Sequence, residues 1–253
     1  MRNAISIILA LGAFNMIDAQ AQGSKPTIVL VHGAFADASG WSDVIDRLQK
    51  RGYNAVAVQI PLSDLATDVT TTKRLVDAQP GDVVLVGHSY GGAVISGASA
   101  GDSKVKALVY VSAFAPDANE PVGAIGAKYP EPPLNKALVP DAAGFAYIDT
   151  AKFHDAFAAD LPVAKTRIMA VTQKPLSTRV FNESNPGAGW KTIPSWFLVA
   201  KQDHAINPDV ERFYAKRANS KTHEVESSHV SFLSHTDVVT NLIIEAAISV
   251  TPK

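Results

Sequence analysis

Val83-Val84-Leu85-Val86-Gly87-His88-Ser89-Tyr90-Gly91-Gly92-Ala93-Val94 is an apolar run, a short polar turn and a second run of small and apolar residues. The stretch Val83 to Val86 reads as a strand covered on both faces. From about Tyr90 to Ala100 the pattern reads as a helix. Between them, Gly87 to Gly91 spells G-x-S-x-G in a strand–turn–helix setting, the context in which this pattern presents a nucleophile. Glycines on either side of Ser89 let the backbone bend sharply and the helix pack close. The start of the helix beneath the serine hydroxyl favours negative charge developing there.

The same alternation extends outward in both directions. Thr27 to Val31, Ala55 to Ile60, Val105 to Val111, Ser195 to Ala200 and Thr222 to Val225 read as further strands. Trp41, Val44, Ile45 and Leu48 recur at helical spacing, as do Leu65, Val69, Thr72 and Val76, before Pro80-Gly81. Trp41 and Trp196 read as core residues. Val238, Val239, Leu242, Ile243, Ala246 and Ala247 mark a final helix, with Ser234 and Asp237 as its expected capping pair. This is an α/β chain with a mostly parallel sheet of about six strands flanked by helices. The rhythm breaks between Pro116 and Pro194, which hold most of the prolines. Phe153 to Leu161 and Val163 to Val171 are helical patterns there. Residues 116–194 are expected to form a small helical cap over one end of the sheet. Residues 22–115 and 195–253 form the core.

A serine hydroxyl needs a base to become a nucleophile. His229, on a loop between the last strand and the final helix, is the expected base, with His235 as the alternative. His223 falls in a strand, and His154 belongs to the cap. The base needs an acid to fix its tautomer. Asp203 follows the strand Ser195 to Ala200 directly and fills that role, with Asp117 as competitor. Asn207-Pro208-Asp209 reads as a helix start. The chain order Ser89, Asp203, His229 suits acyl transfer on this kind of sheet. Negative charge on the reacting oxygen calls for two converging N–H donors. Tyr90 supplies one. The turn His32-Gly33-Ala34-Phe35 supplies the other, from Ala34 first and Phe35 second.

The composition narrows the partners. The 253 residues are 47% apolar and 19% charged, enough for a full core and against disorder. Lys plus Arg is 23 and Asp plus Glu is 24, so the chain lacks the basic footprint of a nucleic-acid or anionic-membrane binder. There is no cysteine, which excludes disulfides, thiolate metal centres and a lipid anchor on cysteine. No clustered histidine set suggests a metal site. Arg2, the apolar run Ala4 to Phe14 and the site Ala19-Gln20-Ala21 read as a secretory signal peptide over residues 1–21. The mature chain is then expected in the periplasm or the medium, without stable membrane association.

Taken together, Val29 to Phe35 and Leu85 to Val94 resemble the oxyanion turn and nucleophile elbow of the α/β-hydrolase superfamily. The nearer resemblance is to the branch of plant methyl-salicylate-type esterases, hydroxynitrile lyases and small bacterial esterases. It implies an α/β-hydrolase fold, no cofactor and a small-molecule ester substrate. The lyases of that branch carry a lysine after the catalytic histidine and a threonine in the oxyanion turn. This chain has Val230 and Gly33 there, which argues against lyase chemistry. Ser89 itself excludes the dehalogenases, whose nucleophile is aspartate. Phe35, His88, Phe114, Tyr129, Phe153 and Phe157 are the expected walls of an apolar substrate pocket. The expected activity is a serine carboxylesterase for small to medium apolar esters, as a monomer or homodimer. Lactone opening, C–C hydrolysis or perhydrolysis on the same triad are alternatives, and a catalytically weak binding protein is another.

Overall fold

The computed structural model describes residues 25–251. Its main sheet uses strands β1 (Thr27–Val31), β2 (Ala55–Val58), β3 (Val83–His88), β4 (Val105–Val111), β8 (Ser195–Ala200) and β9 (Lys221–Val225). Every pairing in it is parallel, in the order β2-β1-β3-β4-β8-β9. The residues of β1, β3 and β8 are buried throughout, as a parallel sheet covered on both faces requires. Helices α1 (Ser42–Lys50) and α8 (Thr236–Val250) pack on each other against one face. Helices α2 (Leu65–Asp77) and α3 (Tyr90–Ala98) pair on the other, and α6 (Pro208–Arg217) lies along β8.

The chain runs from β1 outward to β2, then returns across β1 to β3. The strand order therefore reverses between β1 and β3. A crevice opens beyond the carboxyl ends of strands at such a reversal. Both the Ser89 turn and the His32–Phe35 turn leave the sheet there.

The segment between β4 and β8 adds a small sheet to the expected helical cap. It holds helices α4 (Phe153–Phe157) and α5 (Val163–Thr172), several single turns and a small antiparallel sheet. That sheet pairs β5 (Leu138–Pro140), β6 (Phe145–Ile148) and β7 (Leu176–Ser177). These strands are two to four residues long, too short to show the period-two alternation that marks a strand in sequence. The start of the last helix also differs from expectation. A separate short helix, α7 (Ser231–Ser234), precedes α8, and no side chain caps α8. The proposed signal segment, residues 1–21, lies outside the described residues.

Candidate active site

Ser89 sits at the end of β3 with φ 55° and ψ −124°. A non-glycine residue in that region is strained, and the surroundings must hold it there. Its N–H donates to the Val111 carbonyl at 3.2 Å, and its carbonyl accepts from Gly92 and Phe114 N–H at 3.0 and 3.1 Å. The turn is thus bolted to β4 and to the chain leaving it. Gly91 is glycine because α3 crosses β1 at contact distance: a Cβ there would stand 2.7 Å from the Val31 and His32 carbonyl oxygens.

The acid and base come from adjacent parallel strands, which is why residues 26 apart in sequence meet. Gln202 N–H donates to the Ser227 carbonyl at 3.1 Å and ties the two loops together. Beyond that tie His229 Nδ1–H donates to Asp203 Oδ2 at 2.5 Å, with both side chains buried. The other carboxylate oxygen of Asp203 accepts the Ala205 and Ile206 N–H groups at 2.6 and 2.9 Å. Three N–H donors on one carboxylate fix its plane. His229 Nε2 is left as the acceptor facing the site.

Ser89 and His229 both line a cavity of about 510 Å³, together with Ala34, Phe35, Tyr90, Phe114, Tyr129, Phe157, Phe181, Ile206 and Val210. Among the described residues, neither the Ala34 nor the Tyr90 N–H donates to another protein group. The expected oxyanion donors are therefore unpaired beside the serine; the Phe35 N–H is equally unpaired. Phe35 has φ 59°, the left-handed conformation that turns this loop back over the site. Gly33 is where the loop touches the nucleophile: a Cβ on it would lie 2.7 Å from Ser89 Cβ. His32 holds this loop from beneath. Its Nε2 accepts the Ile60 N–H at 3.2 Å while Nδ1–H donates to the Gly33 carbonyl at 2.8 Å. Burial lowers its pKa to about 4, so it stays neutral in that role.

Two residues expected in the pocket wall stand outside it. His88 is not among the lining residues. Its side chain packs against the His229 loop instead. Its Nε2–H donates to the His229 carbonyl at 2.9 Å, and its ring lies between those of Phe232 and His229, 4.6 Å from each. Burial pushes its pKa well below the ordinary value, so it props the base as a neutral ring. Phe153 is also outside the lining; it is fully buried and packs on Phe157, the ring that does reach His229, at 5.0 Å. Phe35, Phe114, Tyr129 and Phe157 do line the cavity. The competing acid, Asp117, pairs with Lys191 at 2.5 Å and lies off the cavity. His235 bonds to Ser234. Asn207 caps α6 by accepting the Asp209 N–H at 2.9 Å.

Several side chains that brace the site have no signature in the sequence. Asp160, from the cap, accepts both the N–H and the O–H of Ser228, at 3.0 and 2.5 Å, directly before His229. Asp68, buried on α2, accepts the Tyr90 hydroxyl at 2.8 Å and the Leu62 N–H at 2.9 Å. Burial raises its pKa to about 6. Phe181 adds an unanticipated wall. These groups lie far along the chain from what they hold, so no local pattern marks them. Among the described residues, no group of three or more His, Cys, Asp or Glu could hold a metal ion.

Comparison with known proteins bears on the fold. The family model described as "Alpha/beta hydrolase family" matches residues 28–242. The chain is 30% identical over 248 residues to alpha/beta hydrolase nvfD of Aspergillus novofumigatus, covering 88% of this chain and 97% of that one. It is 27% identical over 237 residues to methylesterase 8 of Arabidopsis thaliana, covering 83% and 84%. Among solved structures, a pyrethroid hydrolase from Sphingobium faniae superposes with a TM-score of 0.75 at 21% identity, over 89% of this chain and 98% of that one. At that identity the superposition speaks for the fold. The chain belongs to the alpha/beta hydrolase family.

Proposed function

We propose that this hydrolase is a serine carboxylesterase for small to medium, neutral, mainly apolar esters. One observation carries the reading: Ser89 and the Asp203-supported His229 open into the same apolar cavity beside two unpaired backbone N–H groups. In this reading His229 Nε2 takes the Ser89 proton as the hydroxyl oxygen attacks the ester carbonyl. The Ala34 and Tyr90 N–H groups hold the oxyanion. Asp203 stabilises the imidazolium, which then protonates the departing alcohol. Water activated by the same imidazole cleaves the acyl-enzyme. Among the described residues, Glu131 is the one ionisable carboxylate in the cavity wall, and no Lys or Arg lines it. A substrate with a free carboxylate would find no partner there. The names of similar proteins, a methylesterase and a pyrethroid hydrolase, describe ester cleavage in those proteins and support the same chemistry here. Export is part of the proposal and rests on Arg2, the apolar run and Ala19-Gln20-Ala21.

The test is burst kinetics on p-nitrophenyl esters of rising acyl length, in wild type and Ser89→Ala. Turnover that vanishes in the variant supports the acyl-enzyme route. A wild-type protein that turns over no ester and whose Ser89 resists an organophosphonate sinks it.

A further inference from the structure

Glu211 lies one turn into α6, on the face that also buries Val210, Tyr214 and Ala215. It is wholly buried, with 0% of its surface exposed. One carboxyl oxygen, Oε2, accepts the Ala200 N–H at 3.0 Å, at the end of β8. The other, Oε1, has no N–H or O–H donor among the described residues. The carboxyl group of Asp203 lies beside Glu211.

Two carboxyl groups thus share one dry site. Within 4.0 Å the only basic nitrogen paired with either of them, among the described residues, is that of His229 on Asp203. Arg212 is next to Glu211 in sequence, but its guanidinium faces outward to Asp209 and Glu224. Neighbouring carboxyls without a cation cannot both ionise, so one keeps its proton. Asp203 accepts from three N–H groups and Glu211 from one. Glu211, with the fewer donors, is the carboxyl that keeps the proton. Burial and the Asp203 charge push the Glu211 carboxyl well above the ordinary range, in the same sense.

We infer that Glu211 is a positioning residue: a neutral carboxylic acid whose O–H donates to Asp203 while its carbonyl oxygen accepts the Ala200 N–H. It gives the triad acid a fourth donor and ties it to the last residue of β8. This fixes the carboxylate plane that His229 must meet and adds no second negative charge behind the base. The inference rests on the triad reading, since a positioning role needs a reaction to position.

The experiment pairs two variants with one spectrum. Glu211→Gln keeps a donor and an acceptor in the same shape. It is expected to keep kcat within about threefold and to leave the acid limb of the kcat/KM profile in place. Glu211→Leu keeps the bulk and loses both bonds. It is expected to lower kcat by about tenfold or more, with KM little changed. Infrared difference spectra of wild type against Glu211→Gln, at mildly alkaline pH, should show a protonated-acid carbonyl band only in wild type. Asp68, the other carboxyl raised by burial, is ionised under those conditions and drops out of the difference. A Glu211→Leu protein as active as wild type overturns the inference, as does a shifted acid limb in Glu211→Gln or a missing band. If Glu211→Leu does not fold, the band and the Gln variant decide. The spectrum needs no substrate, so failure of the esterase reading leaves it interpretable.

Discussion

Gly33 shows how narrow the tolerance is at a single residue. The oxyanion turn and the nucleophile turn approach until a Cβ on Gly33 would sit 2.7 Å from Ser89 Cβ and 3.0 Å from His88 Nδ1. Neither neighbour can step aside. Ser89 is held by backbone bonds on both sides, and His88 is wedged under His229. Gly33→Ala must therefore move the turn that carries Ala34. A shift of this kind costs about 100-fold in rate when oxyanion donors leave their positions. Overpacking adds about 1–3 kcal/mol of destabilisation. Steady-state kinetics on a good ester, with a urea melt beside it, checks both. A Gly33→Ala enzyme with normal kcat would show that the turn has slack enough to take a methyl group.

Among the elements, the cap is built onto the loops that hold the acid and the base. Leu134 N–H donates to the His204 carbonyl at 2.9 Å, and His204 Nδ1–H donates to the Asp155 carbonyl at 2.7 Å. Asn207 reaches the Pro130 carbonyl at 3.1 Å, and Asp160 holds Ser228. At its root, the cap is pinned where Arg217 pairs with Glu120 and stacks on Trp190, whose indole N–H donates to the Pro116 carbonyl. The cap therefore shapes the pocket and also steadies the chemistry. Asp160→Ala leaves two donors of the buried Ser228 unpaired, at a cost of about 1–3 kcal/mol. It loosens the His229 loop, with an expected fall in kcat of roughly 10- to 100-fold. Ser228→Ala loses one of the two bonds and should fall less. Equal kcat in Asp160→Ala and wild type would mean that the loop holds itself.

Over the whole molecule, pH enters through Asp68. Its folded pKa of about 6 stands above the ordinary 3.8, because burial disfavours its charge. Between those values the folded state holds a proton that the unfolded chain has released, so the Asp68 contribution to stability falls as pH rises from 3.8 to about 6 and stays lowered above that, against the opposite trend from the buried His32 and His88. The size is of the order of 3 kcal/mol. Asp68→Asn removes the ionisable group, so the unfolding free energy of the wild type should fall relative to that of the variant over the same range. Urea titrations at several pH values read the difference in slope; parallel curves for the two proteins would remove Asp68 as the cause.

Strand and helix alternation, the serine turn, the oxyanion turn and the order of serine, aspartate and histidine were legible in the linear chain. Their signals are local: buried runs, short motifs, and loops that directly follow strands. Sequence alone therefore determined the sheet, its family resemblance and the candidate triad. Tertiary structure alone decided what each of those residues leans on. His88 left the pocket for the His229 loop, where its ring donates to the His229 carbonyl and packs on Phe232. Phe153 became support for Phe157, and the cap acquired a small sheet from strands too short to announce themselves. Asp68, Asp160 and Glu211 look like ordinary surface acids in the sequence. Their burial and their partners depend on contacts between distant segments, and local residue patterns carry no record of those contacts.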